Sequence, residues 1–181
     1  MREIMDVDSW LKVAPILAIV SPIIVLLISG LWFNRSLEKL KSRLQASQAI
    51  VEKRANIYVD IQEPLNDIYS YIKRVGKWKT LTPSDVIECK RKVDQKMHAT
   101  RPFWSKQMQK SYKEFMDICF VTNQGHAINA GIVAEVAKFQ ELDSWESEFT
   151  AYFTGEFDES KLDKANDKLM SSLSKDFGVD S

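Results

Sequence analysis

Residues 34–75 read NRSLEKLKSRLQASQAIVEKRANIYVDIQEPLNDIYSYIKRV, and the spacing of apolar residues in this stretch decides the fold. Leu37, Leu40, Leu44, Val51, Tyr58, Ile61, Leu65, Ile68, Ile72 and Val75 keep a three-four rhythm, with the polar Ser47 and Arg54 filling two of its positions. Because an α-helix turns once every 3.6 residues, that rhythm draws one stripe along one helical face. Residues 34–63 contain neither Gly nor Pro, so the helix should run unbroken until Pro64 kinks or restarts it. A seam of this kind forms a coiled coil or one wall of a bundle. Ile50, Ile57 and Tyr69 widen the stripe, which predicts a bundle wall for the distal part and leaves Leu37, Leu40, Leu44 and Val51 as an expected oligomer seam.

Upstream, Val13 to Phe33 is a run of 21 residues without a charge. As a helix it would be about 31 Å long, the thickness of a bilayer's hydrocarbon core. Trp10 and Trp32 bracket it, about 33 Å apart on a helix, where indole rings sit at opposite membrane interfaces. A cleavable export signal has a shorter apolar region followed by small residues, whereas this run ends in Leu31, Trp32, Phe33, Asn34 and Arg35. A single transmembrane anchor is therefore expected, with Trp10, Trp32 and Arg35 as its interface residues. Pro15 and Pro22 are compatible with such a span, Pro22 predicting a kink, and Ala14, Ala18 and Ser21 form a stripe of small residues. Arg2 and Lys12 precede the span, while Arg35, Lys39, Lys41, Arg43, Lys53 and Arg54 follow it. That asymmetry places the C-terminal side in the cytoplasm and the N-terminus outside, in a plasma or cell inner membrane. In that reducing compartment Cys89 and Cys119 are expected as free thiols.

Downstream, Gly76 should end the long helix, and TLTPSD (residues 80–85) opens the next with Thr82 as its cap, Pro83 in the first turn and Asp85 where a capping-box acid belongs. Val86, Cys89, Val93 and Met97 mark the inner face of that helix. Arg101 and Pro102 break the chain before a third helix carrying Trp104, Met108, Tyr112, Phe115 and Cys119. TNQGHAINAG (residues 122–131) ends it, and a fourth helix is expected from about Ala130 to Phe153 on Val133, Val136, Phe139, Leu142, Trp145, Phe149 and Tyr152. Asp158 caps a fifth, striped by Leu162, Ala165, Leu169, Leu173 and Phe177 before Gly178. The expected fold is all-α. Residues 1–12 are a short extracytoplasmic tail and 13–33 a transmembrane helix, which continues into a basic stalk and first bundle helix (34–75). Residues 76–181 complete a cytosolic bundle of four to five helices.

Charge sums to zero over the chain but not along it. Residues 34–113 hold 18 Lys or Arg against 8 Asp or Glu, and residues 114–181 hold 5 against 14. Basic and acidic helices lying side by side would neutralise each other; otherwise a basic surface faces phosphate or acidic lipid. The densest patch comprises Lys73, Arg74, Lys77 and Lys79 around Trp78, followed by Lys90, Arg91 and Lys92. An aromatic ring among cations suits a base or a membrane interface. A straight helix over residues 34–75 would put Gly76 about 63 Å from the bilayer, and no nucleic-acid motif accompanies the patch, so nucleic acid is not expected.

The chain carries no phosphate-binding glycine loop, H-E-x-x-H, G-x-S-x-G or paired-cysteine zinc pattern. Cys89, His98, Cys119 and His126 lack zinc-finger spacing. No catalytic residue, metal or cofactor is expected, and the chain does not read as an enzyme. Trp145, Phe149, Tyr152 and Phe153, flanked by Glu146, Glu148 and Glu156, form an aromatic stripe that reads as core or, where exposed, as a partner surface. Two classes of function fit. The first is a single-pass, membrane-anchored interaction or scaffold module whose partners are the bilayer and another protein or further copies of itself. The second is an oligomerising effector that permeabilises the bilayer when its cytosolic bundle is triggered. The span offers only Ser21 and Ser29 as polar lining, which favours the tether.

Overall fold

The computed structural model describes residues 7–122, 130–154 and 156–179, with side chains from residue 29 onward. The fold is mostly helical and divides into two compact units, Met1–Ala49 and Ile50–Ser181. Helix α1 (Val7–Lys73) supplies the first unit and the first wall of the second. It stays helical through Pro64, so the helix does not restart there. Proline at 64 deprives the carbonyl of Asp60 of its helical partner, but Asp60 is exposed, so water can replace the lost hydrogen bond.

From Ile57 onward the stripe on α1 is core: Ile57, Ile61, Leu65, Ile68, Tyr71 and Ile72 are all buried. The helix ends with the amide of Val75 donating to the carbonyl of Ser70 (2.9 Å) and the amide of Arg74 to that of Tyr71 (3.1 Å). This closure needs a left-handed residue, and here Arg74 supplies it at φ +61°. Helix α5 (Glu159–Asp176) closes in the same way, Val179 donating to Ser174 and Gly178 to Lys175, with a glycine at the left-handed position.

Helix α2 (Pro83–Ala99) starts at the expected capping box. The amide of Asp85 donates to Thr82 Oγ1 (3.2 Å) and the amide of Thr82 to Asp85 Oδ2 (2.8 Å). Thr82 Oγ1 also donates to Asp85 Oδ2 (2.7 Å), and this bond, followed by that from the Thr82 amide, holds the Asp85 carboxyl below its usual range. Helix α3 (Lys106–Cys119) begins at Ser105, whose hydroxyl accepts from the amide of Met108. It buries Met108, Tyr112, Phe115 and Cys119 as the spacing predicts. Helix α3 packs along α5, and the Ser111 and Ser172 hydroxyls meet between them at 2.8 Å. Since Ser172 donates to the carbonyl of Lys168, Ser111 is the donor of that buried pair.

The expected fourth helix is not there. Phe120–Thr122 forms strand β1, which pairs antiparallel with β2 (Ala130–Ile132), Val121 standing opposite Gly131. A single turn, α4 (Val136–Phe139), and a 3-10 segment, Ser147–Tyr152, replace the rest. Between them the aromatic residues turn inward rather than along a helix. Tyr71 and Phe139 have ring centres 4.7 Å apart, Phe139 and Phe153 5.0 Å, and Trp145 and Phe153 5.6 Å. The strand pairing holds this segment down, because the amide of Thr154 donates to the carbonyl of Ile132 at 2.9 Å.

Arg54, one of the polar interruptions of the stripe, also has a structural task. Its Nε donates to the carbonyl of Phe103 (2.6 Å) and its Nη1 to the carbonyl of Asp176, which ties α1 to the end of α5.

Candidate functional site

Three places carry the residues singled out by the sequence. On α1, Leu37, Leu40 and Leu44 are 46%, 55% and 55% exposed, an uncovered three-four seam. Val51 is half-buried. Of the interface residues, Trp32 and Arg35 are exposed, while the side chain of Trp10 lies outside the described residues, as do Ala14, Ala18 and Ser21. Among the described residues no helix is long and apolar enough to cross a membrane, and the side chains of residues 13–28, most of the expected span, lie outside that description.

The basic patch is distributed over three elements, and most of its cations face a carboxylate. Lys73, at the end of α1, donates to Asp163 at 2.5 Å and lies 3.6 Å from Glu159. The Asp163 carboxyl is held below its usual range, first by Lys73 and then by the Tyr69 hydroxyl. Arg74 meets Glu135 at 3.1 Å. Lys77 lies 3.3 Å from Glu63 and 3.1 Å from Asp67, whose buried Oδ1 has this ammonium as its counter-charge. The Trp78 and Phe139 rings meet edge to face with centres 5.5 Å apart, and Lys79 lies over the Trp78 ring. On α2, Lys90 pairs with Asp94 and Arg91 with Glu88. Lys92 has no carboxylate within ion-pair distance among the described residues. The pairs of Arg54, Lys73 and Arg74 join the basic half of the chain to the acidic half.

A third place was not legible in the sequence. Helices α2 and α3 are joined by a short connection, yet α3 packs on α5 and leaves a cleft of about 470 Å³ against α2. Its floor is polar and ordered: Tyr112 Oη donates to Asp94 Oδ1 and Lys90 Nζ to Asp94 Oδ2, both at 2.5 Å. Burial and the Asp94 carboxylate push the Tyr112 phenol up, so it remains a donor at neutral pH. At the mouth, Arg101 Nε donates to Gln109 Oε1 (2.8 Å), and Gln109 Nε2 donates back to the carbonyls of Arg101 (3.2 Å) and Trp104 (2.9 Å). Gln109 thus bridges the Arg101 guanidinium and the backbone carbonyls of Arg101 and Trp104. His98, Lys113 and Asp117 also line the cleft. Spacing could not reveal it, since the lining residues look like the solvated faces of two amphipathic helices.

Cys119 is buried and Cys89 half-buried, and burial pushes both thiols up. His126 lies outside the described residues. Among the described residues no group of three or more His, Cys, Asp or Glu side chains is placed to hold a metal ion. No protein-family model, curated protein or solved structure matches this chain.

Proposed function

We propose that this chain is a single-pass, membrane-anchored interaction module. Its stalk pairs with the stalk of a second copy, and its helical domain is presented to a protein partner on the cytoplasmic side. The observation that carries the reading is the uncovered seam of Leu37, Leu40 and Leu44 on a helix whose later turns bury the same rhythm. In a parallel, in-register pair, Ser36 would face Lys41 of the second copy and Arg43 would face Gln48, so no like charges meet across the seam. Parallel is also the arrangement that two N-terminal anchors in one bilayer impose.

The energetics explain why the anchor matters. Fully burying a leucine stabilises by roughly 1.5–3 kcal/mol, so six half-exposed leucines contribute roughly 5–9 kcal/mol. Association costs about 4–15 kcal/mol, which leaves the seam near balance in dilute solution. Confinement to one membrane raises the effective concentration and tips that balance.

Cross-linking in membranes tests the proposal. The unaltered chain should give a dimer that L40S/L44S shifts to monomer, and a fragment lacking residues 1–33 should be monomeric at micromolar concentration. If enlarging Ala14 and Ala18 to Leu disperses the oligomer while the stalk substitutions do not, the span is the interface and the permeabilising effector becomes the better reading. Absence of any oligomer would leave a monomeric tether.

A further inference from the structure

We infer that the cleft between α2 and α3 is a binding site for a small phosphomonoester with hydrogen-bond donors on its organic body, a molecule of about mononucleotide size. Its volume, about 470 Å³, falls within the range of small-molecule sites. The central observation is Arg101. Its Nε donates to Gln109 Oε1, and Gln109 Nε2 is anchored on the carbonyls of Arg101 and Trp104, so the guanidinium is biased toward one orientation before any ligand arrives. Its two terminal nitrogens have no protein acceptor among the described residues, and they are the pair that grips a phosphate in bidentate fashion.

Lys113 stands one helical turn after Gln109 on the same cleft wall. Asp117 follows one turn later, yet Lys113 and Asp117 form no ion pair. Among the described residues neither Arg101 nor Lys113 has a carboxylate partner, in a molecule where most neighbouring cations have one. Along this wall Gln109, which holds Arg101, then Lys113 and then Asp117 follow one turn apart, and among the described residues Asp117 has no ion-pair partner either. A purely anionic ligand would be repelled by Asp117. A ligand with an anionic head and N–H or O–H donors on its body satisfies both the cations and Asp117. Asp94 adds no demand of its own, since Tyr112 and Lys90 already occupy both its oxygens. The thioethers of Met97 and Met116 offer an adaptable apolar wall to a ring or short chain.

The test uses the full chain in nanodiscs of zwitterionic lipid, titrated by calorimetry with adenosine 5′-monophosphate, adenosine and a short-chain phosphatidate. Adenosine 5′-monophosphate should bind, adenosine should bind at least about tenfold more weakly, and R101Q or K113Q should each weaken the phosphorylated ligand by about tenfold or more. Both residues are exposed, so the variants should melt like the parent, and K106Q, outside the cleft, should bind like it. Phosphatidate binding with the same dependence on Arg101 and Lys113 would assign the phosphate to a lipid headgroup rather than a soluble metabolite. Three results would overturn the assignment: no phosphorylated probe binds, adenosine binds as well as its phosphate, or binding persists in both cleft variants.

Discussion

Arg74 occupies the left-handed position that closes α1, at φ +61°, where the equivalent residue closing α5 is Gly178 at φ +74°. A side chain in that region costs about 1–3 kcal/mol, and the exposed ion pair with Glu135 returns at most about 1 kcal/mol. R74G should therefore raise stability to denaturant by about 1 kcal/mol, and E135A should change it little. A loss of stability in R74G would mean that the Glu135 pair outweighs the strain. The same residue shows what a sequence can and cannot disclose. Gly76 was the visible stop signal, but the hydrogen bonds that end the helix close two residues earlier, on an arginine no propensity rule would choose. Thr82, Pro83 and Asp85, by contrast, were legible because every partner in a capping box lies within three residues. The fate of Lys73 was not, since its partner Asp163 is 90 positions away.

The hairpin β1–β2 is where periodicity misled. Val133, Val136 and Phe139 happen to sit at helical intervals, yet the β-branched pair Ile132–Val133, the run Phe120-Val121-Thr122 and the polar, glycine-bearing segment between them form a hairpin signature. Gly131 is the critical residue of this element. A Cβ added there would meet Thr154 Cγ2 at 2.3 Å and Thr154 Cβ at 3.2 Å. G131A should destabilise by about 1–3 kcal/mol, and T154A should recover part of that loss when combined with it. Equal stability of G131A and the parent would show that Thr154 is free to move aside. The stripes on α2, α3 and α5 were read correctly because their inner faces are continuous. The cleft between α2 and α3 escaped because it depends on how far two helices splay, which no one-dimensional pattern encodes.

Across the whole molecule, charge and protons link the basic and acidic halves. Asp85, Asp158, Asp163 and Glu114 all have carboxyl groups held below their usual range, by hydrogen bonds from Thr82, the backbone of Lys161, Lys73 and Lys168 respectively. Protons bind these groups more weakly in the folded chain, so their stabilisation is present above about pH 4 and is lost as pH falls further. Tyr71, Tyr112 and Cys119 are displaced upward by burial, so the folded state loses stability as pH rises through about 8.5 to 10, where the unfolded chain ionises first. Thermal melts across this span should show a plateau with falls at both ends, and D163N should flatten the acid fall. A melting temperature that is unchanged down to about pH 2 would show these carboxylates to be energetically silent. Arg54 adds a consequence in time. Its acceptor on Asp176 lies 122 residues further along the chain, so at about 5–20 residues per second the ribosome needs roughly 6–24 s to deliver the helix end that Arg54 holds. Until then the apolar face from Ile57 to Ile72 is only partly covered: Phe139, which packs on Tyr71, emerges earlier, but Phe177, which packs on Tyr58, comes only with the end of α5, so a chaperone that shields apolar helices should find the nascent chain in that interval.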